Sequence, residues 1–293
     1  MLLASCGGDR ATAPQADTEP VATGAATAGP TPFISFVPFS GAGLANVVSY
    51  RYVISAKPGA LSTPVDVTYT AAALTRRGHY QAGASAARLP VFGLYAGYLN
   101  QVALDLTFAD GSHRQLAVTI STPPYVDPSG VFDKPNIIQK RTAHSVLGFS
   151  YFVMKSAFAG TIIADTDGEI RWTPAAAPTD AFSSTFDVDS FVLGSQTSAD
   201  FKRLELDGSV SNTVLSPSPS ASTYNRFHHN LDRGKVGLLG EVDGVVGGLP
   251  SVESVLVEFD RSGVIGKEWD FADILGRYMR RQGDDPSPFI RPG

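Results

Sequence analysis

The sequence predicts an all-β protein, a β-sandwich followed by an incomplete β-propeller. Three observations carry that prediction. From Phe33 onward, aromatic and β-branched residues come in short runs separated by Gly, Pro, Asn and Asp, the pattern of many short strands and not of helices. In the second half, a turn of Asp and Gly between apolar strands recurs three times. Hydrophobic residues fill 43% of the 293 positions and charged residues 17%, enough for a sizeable core and too little charge for a disordered chain.

Residues 1–32 read as a lipoprotein signal remnant and a disordered tether. Leu3-Ala4-Ser5-Cys6 has the apolar, small, small, Cys order of a bacterial lipoprotein signal. The other reading is a chance tetrapeptide in an Ala-rich terminus. Only five residues precede Cys6, whereas a secretory signal carries a charged segment and about 7 to 15 apolar residues before its cleavage site. Met1 is therefore expected to be a late start inside a longer leader. A lipid on Cys6 would anchor the protein to a bacterial membrane, with the folded part periplasmic or extracellular. Residues 7–31 are mostly Ala, Thr, Pro and Gly, too poor in large apolar side chains to offset the entropy of ordering.

Residues 33–122 read as the sandwich. Ser49-Tyr50-Arg51-Tyr52-Val53-Ile54, Val65-Asp66-Val67-Thr68-Tyr69 and the run from Gln101 to Phe108 alternate as half-buried antiparallel strands do. Ala109-Asp110-Gly111-Ser112 supplies a tight hairpin turn, and Arg114 to Ile120 returns as the partner strand. Pro123-Pro124 then stops the sheet, and residues 123–132 form a linker.

Residues 133–293 read as the first blades of the propeller. Ile162-Ile163-Ala164-Asp165-Thr166-Asp167-Gly168-Glu169-Ile170-Arg171-Trp172 matches Val257-Glu258-Phe259-Asp260-Arg261-Ser262-Gly263-Val264-Ile265 through Trp269, and a weaker copy is Arg203-Leu204-Glu205-Leu206-Asp207-Gly208-Ser209-Val210. Each copy is a hairpin. Their turn glycines are spaced by 40 and 55 residues, near the blade repeat of about 40 to 50 residues. One more antiparallel sandwich with similar hairpins is the alternative. The length allows three or four blades, fewer than a closed ring commonly uses, and residues 284–293 read as a loop with no capping element. The sequence is expected to be cut at its C-terminus.

Chemistry-bearing residues are few. Cys6 is the only cysteine, so an intrachain disulfide and thiolate zinc sites are excluded. No phosphate loop, no Gly-x-Ser-x-Gly elbow and no metal or cofactor motif is present. Asp165 to Glu169 starts like a calcium loop, but the position of its bidentate Glu falls on Ala176. The net charge of -5 and the lack of a Lys/Arg stripe argue against nucleic acid, and no apolar run is long enough to span a bilayer. Among five histidines, only His228 and His229 are clustered, in Phe227-His228-His229-Asn230. Strand alternation would send one imidazole into the propeller channel and the other to the neighbouring blade. Purely structural hydrogen bonding of both is the alternative. His79 and His113 stand alone, the latter in a hairpin turn, and His144 is a candidate start of a channel strand.

Leu89-Pro90-Val91-Phe92-Gly93-Leu94-Tyr95-Ala96-Gly97-Tyr98-Leu99-Asn100-Gln101-Val102, followed by Ala109-Asp110-Gly111, resembles the N-terminal domain of bacterial aryl-sulfate sulfotransferases. Ile163 to Trp172 is similar to the first blade of that family, and Phe227-His228-His229 to its early active-site strand. The resemblance implies a periplasmic six-bladed propeller behind an N-terminal sandwich, of which about three blades lie in this sequence. It implies transfer of a sulfuryl group from a phenolic sulfate to a phenol, without a nucleotide donor or cofactor, through a transiently sulfated histidine and ping-pong kinetics. One of His228 and His229 would be a supporting histidine. The sulfated histidine, its partner and a sulfate-binding arginine would lie beyond Gly293, leaving this polypeptide alone inactive and aggregation-prone. The competing expectation is a non-catalytic propeller lipoprotein that binds a ligand or protein at the cell surface. Partners are thus a small aryl sulfate and a phenol, with membrane contact only through the lipid; oligomerisation is left open.

Overall fold

The computed structural model describes residues 21–132, 136–145, 147–156, 160–175, 183–218, 220, 222–246 and 248–289. Cys6 lies outside the described residues. The chain divides into two units, Met1–Pro124 and Tyr125–Gly293. Both are antiparallel and all-β in character, and no sheet closes on itself.

The first unit comprises β1 (Ala22–Thr23), β2 (Thr27–Ala28), β3 (Ile34–Ser40), β4 (Val47–Ile54), β5 (Val65–Thr70), the helix α1 (Ala71–Arg76), β6 (Ala86–Phe92), β7 (Leu99–Phe108) and β8 (His113–Ser121). β1, β2 and β6 pair with β3 in one sheet; the other runs β5-β4-β7-β8. The expected alternation is plain in β7, where every second residue from Asn100 to Phe108 is buried. Val37, Phe39, Leu89 and Val91 of the first sheet share a core with Tyr50, Tyr52, Leu104 and Leu106 of the second. Two differences from the sequence expectation stand out. The tether expected through residue 32 gives way to strands at Ala22–Thr23 and Thr27–Ala28, because β3 offers them a ladder edge that composition does not reveal. The short α1 was not anticipated either. Thr70 caps it by accepting from the Ala73 N–H at 3.1 Å, in a stretch too short to show a helical period.

The Leu94-Tyr95 to Asn100 segment is pinned from within. Asn100, with no exposed surface, accepts from the Tyr95 N–H at 2.9 Å and donates to the Tyr95 carbonyl at 3.0 Å. The motif that carries the resemblance therefore serves a buried loop closure in this unit.

The second unit is a series of meanders. β9 (Tyr151–Ser156), β10 (Gly160–Asp165) and β11 (Ile170–Trp172) form a three-stranded sheet. β12 (Ser184–Asp187), β13 (Ser190–Gly194), β14 (Asp200–Glu205) and β15 (Val210–Val214) form the next, each strand beside its sequence neighbour. β16 (Thr223–Arg233), β17 (Leu238–Val246), β18 (Leu249–Phe259) and β19 (Ile265–Asp270) form the third, followed by helix α2 (Phe271–Gln282). The sheets stack through aromatic rings. Trp172 stacks on Phe191 at 5.1 Å and donates to the Leu206 carbonyl at 3.0 Å, while Phe201 meets Phe227 and Phe259.

The three repeated sequences are the hairpins β10–β11, β14–β15 and β18–β19. Gly168, Gly208 and Gly263 hold φ of 86°, 88° and 83°, a left-handed backbone that favours glycine. Asp165 accepts from the N–H groups of Asp167 and Glu169 at 3.0 and 2.9 Å, and Asp260 from those of Ser262 and Val264 at 2.8 and 3.0 Å. The remaining Asp165 oxygen takes Arg171 at 2.9 Å, so the carboxylate that resembled a calcium ligand is spent on the turn and a buried ion pair. His144 sits in a turn, and the strand after it starts only at Tyr151; the expected strand start at His144 is corrected. Helix α2 precedes the terminal loop and was not foreseen, although Asp270 caps its start and Gly283, at φ 88°, closes its end. Among the described residues no helix is long and apolar enough to cross a membrane.

Candidate functional site

His228 and His229 lie in the middle of β16, at the edge of the third sheet. Their placement is set by the residues on either side. Phe227, fully buried, packs edge-on against Phe201 and Phe259, with ring centroids 6.5 and 5.7 Å away. Glycine at 194 and 240 makes room for it, since a β-carbon at either position would run into the Phe227 ring. The Phe227 N–H also donates to the Ser195 carbonyl at 2.7 Å, tying β16 to the loop after β13. Four residues on, Leu231 is buried again.

Between these anchors the ladder breaks. Phe227 pairs with Val242 and Leu231 with Gly240, so His228, His229 and Asn230 stand opposite the single residue Glu241. This is a bulge of two extra residues. A second register shift, of one residue at Asn225, lies just before it. His229 absorbs the excess chain by taking φ of 47°, uncommon for any residue other than glycine. As a result the imidazoles do not alternate: their ring centroids are 4.1 Å apart at 76°. The expectation that one ring faces a channel and the other a neighbouring sheet is corrected, because alternation requires an extended backbone at both residues and His229 is left-handed. His228 is half-buried and His229 exposed.

Two touching imidazoles place several ring nitrogens over one small surface, and a neutral ring has one nitrogen that donates and one that accepts. Such a pair can hold an oxyanion and receive or supply a proton. Beside it, Arg226 is fixed by a 2.7 Å bond to the buried carboxylate of Asp243. Sequence reading did not single out Arg226 or Asp243; the signal was a charged residue directly before Phe227. The other histidines are elsewhere. His79 is buried against Phe36 in the first unit, and His113 pairs with Asp105 at 3.1 Å at the start of β8. Among the described residues no group of three or more His, Cys, Asp and Glu could hold a metal ion.

A family model described as arylsulfotransferase (ASST) matches residues 136–288, which contain the histidine pair and all three sheets of the second unit. The chain belongs to the arylsulfotransferase family. A second model, for the arylsulfotransferase Ig-like domain, matches residues 45–123 of the first unit. No curated protein matches this arylsulfotransferase chain. The family membership accords with the resemblance carried by residues 89–102 and 163–172, and the histidine pair lies inside the matched arylsulfotransferase range.

Proposed function

We propose that the protein transfers a sulfuryl group from a phenolic sulfate to a phenolic acceptor without a nucleotide donor, and that its second unit is the first half of a β-propeller. Two successive four-stranded meanders, stacked face to face behind a three-stranded one, support the propeller reading. The single observation that carries the site is the β16 bulge, which brings His228 and His229 into contact. Bulges re-aim side chains and recur beside active sites.

In the proposed reaction a histidine ring nitrogen attacks sulfur. The S–O bond to the aryl group breaks, an S–N bond forms, and the phenolate leaves. The acceptor phenol then attacks sulfur, loses its proton to a neighbouring base, and restores the free histidine. One ring of the pair would hold the sulfuryl oxygens by N–H donation while charge builds on them; the attacking histidine would come from outside these 293 residues, as the family resemblance implies. Lipidation at Cys6 would hold the enzyme at a bacterial membrane, on the periplasmic or outer side, and incorporation of labelled palmitate that Cys6→Ala abolishes is the expected result.

The test uses the complete reading frame that encodes this sequence. With a chromogenic aryl sulfate and phenol, His228→Asn or His229→Asn should lower kcat by about a hundredfold, the scale of losing one oxyanion donor. Unchanged turnover in both variants would remove the pair from the mechanism. Robust transfer by the purified 293-residue chain would overturn the placement of the attacking histidine elsewhere.

A further inference from the structure

Three turns of the second unit converge on an open cavity of about 600 Å³ whose residues the sulfuryl chemistry does not use: β12–β13 at Asp187 and Val188, β16–β17 at residues 233–237, and β18–β19 at residues 260–262. Its electrostatics are organised around one carboxylate. Asp187 is largely buried and meets Arg261 at 2.9 Å, Arg203 at 3.5 Å and Arg233 at 3.8 Å. Arg203 is itself buried and further held by Ser190 and Glu205. Arg233 and Arg261 differ, since each is more than half exposed; Arg233 comes closest to Asp187 through Nε and Arg261 through a terminal guanidinium nitrogen. Both side chains thus keep more than half of their surface open to solvent or a ligand. Lys235 adds a third exposed cation, with no ion-pair partner among the described residues. The other carboxylate in the wall, Asp260, commits its Oδ1 to donors from Ser262 and Val264.

The cavity is also preorganised. Gly234 and Gly237 press the β16–β17 turn against Glu258 and Phe259, and the buried Glu258 carboxylate accepts from the Val236 N–H at 2.7 Å. On the opposite wall Val188 is held at φ 59°, where the Asp189 N–H closes on the Asp187 carbonyl at 2.8 Å. That is a γ-turn of the strained hand on a β-branched residue, and strain of this kind concentrates at ligand-binding positions. Val188 and Val236 are both well exposed and put apolar surface beside the cations.

The geometry points to a second ligand site here, for a monoester of a tetrahedral oxyanion: the anionic head on Arg233, Lys235 and Arg261, the apolar substituent against Val188 and Val236. Guanidinium forks match such oxygens in a way that a lone ammonium does not. The site stands apart from His228 and His229 in the residues it uses.

Calorimetric titration of the full chain with phenyl phosphate and with inorganic phosphate, at low ionic strength, tests it. Phenyl phosphate should bind more tightly than inorganic phosphate, and added salt should weaken both. Lys235→Gln should lower phenyl phosphate affinity about tenfold, the effect of one lost charged hydrogen bond. Because Lys235 meets Glu258 through its backbone, which the substitution keeps, and its side chain has no ion pair among the described residues, this variant folds even if Arg261→Gln, which unbalances Asp187, does not. The His228→Asn, His229→Asn double variant should bind as the parent does, so failure of the sulfuryl-transfer reading leaves this site standing. Absence of binding, or binding lost in the histidine variant and kept in Lys235→Gln, overturns the proposal. Equal affinity for the two phosphates overturns the apolar wall.

Discussion

At Val188 the chain keeps a β-branched residue at φ 59°, where its side chain crowds the backbone. A residue in the left-handed region costs about 1 to 2 kcal/mol, and glycine's extra entropy loss on folding is about 0.5 to 1 kcal/mol. Val188 is 62% exposed, so little burial is lost with its side chain. Val188→Gly is therefore expected to leave stability unchanged or to raise Tm by a few degrees in thermal denaturation, even though it deletes a side chain. A fall in Tm would show that the turn is not strained. His229 is the other non-glycine residue with positive φ among the described residues. Both lie where the sequence gives no sign of a turn residue, and both flank a proposed site.

The turns and edges of the third sheet make the protein sensitive to acid. Glu258 is held below the usual carboxylate range by backbone donation from Val236, which outweighs its burial. Asp260 is lowered by the hydroxyl of Ser262 and the N–H of Val264. Burial would raise Glu268, but the hydroxyls of Ser218, Tyr224, Ser220 and Ser222 together bring it down. Each group binds a proton less readily folded than unfolded. Their stabilisation is thus complete above the unfolded carboxylate value of about 4.3 and fades as pH falls through the lower folded values. Thermal unfolding should show a Tm that is flat from about pH 7 to 5 and declines below about pH 4.5. Glu258→Gln should make that decline shallower. An identical acid limb in the variant would mean that Glu258 contributes nothing to it.

Over the whole molecule, each unit carries its own core. The buried cluster of the first unit runs from Val21 to Ile120 and joins both of its sheets without a residue from the second. Residues 21–124 expressed alone should therefore unfold cooperatively, with a single transition by circular dichroism in urea. A gradual, non-cooperative loss of signal would show that this core is incomplete. The second unit's corresponding cluster spans Val192 to Ile265 and is made by the stacking of neighbouring sheets, so its stability depends on sheet beside sheet, as in repeat architectures.

The all-β class, the alternating strands of the first unit and the three Asp-Gly hairpins were legible in the sequence because each rests on local rules: side chains alternate with period two, and left-handed turns favour glycine. The family resemblance was legible for the same reason, as its residues serve a local loop closure at Asn100. The two helices also carried signals, Thr70 and Asp270 as caps, but α1 is too short for a period and α2 follows strands so closely that the pattern hides it. The histidine pair could be named from sequence, yet its geometry could not, since the bulge arises from a count of residues between Phe227 and Leu231 set against their partners on β17. The cation-lined cavity was invisible for a related reason. Asp187, Arg233 and Arg261 stand far apart in the chain and meet only when three turns from two sheets converge. Sequence determined what is local, the strands, turns and caps; tertiary structure alone decided register and convergence, because both depend on which distant strand supplies the partner.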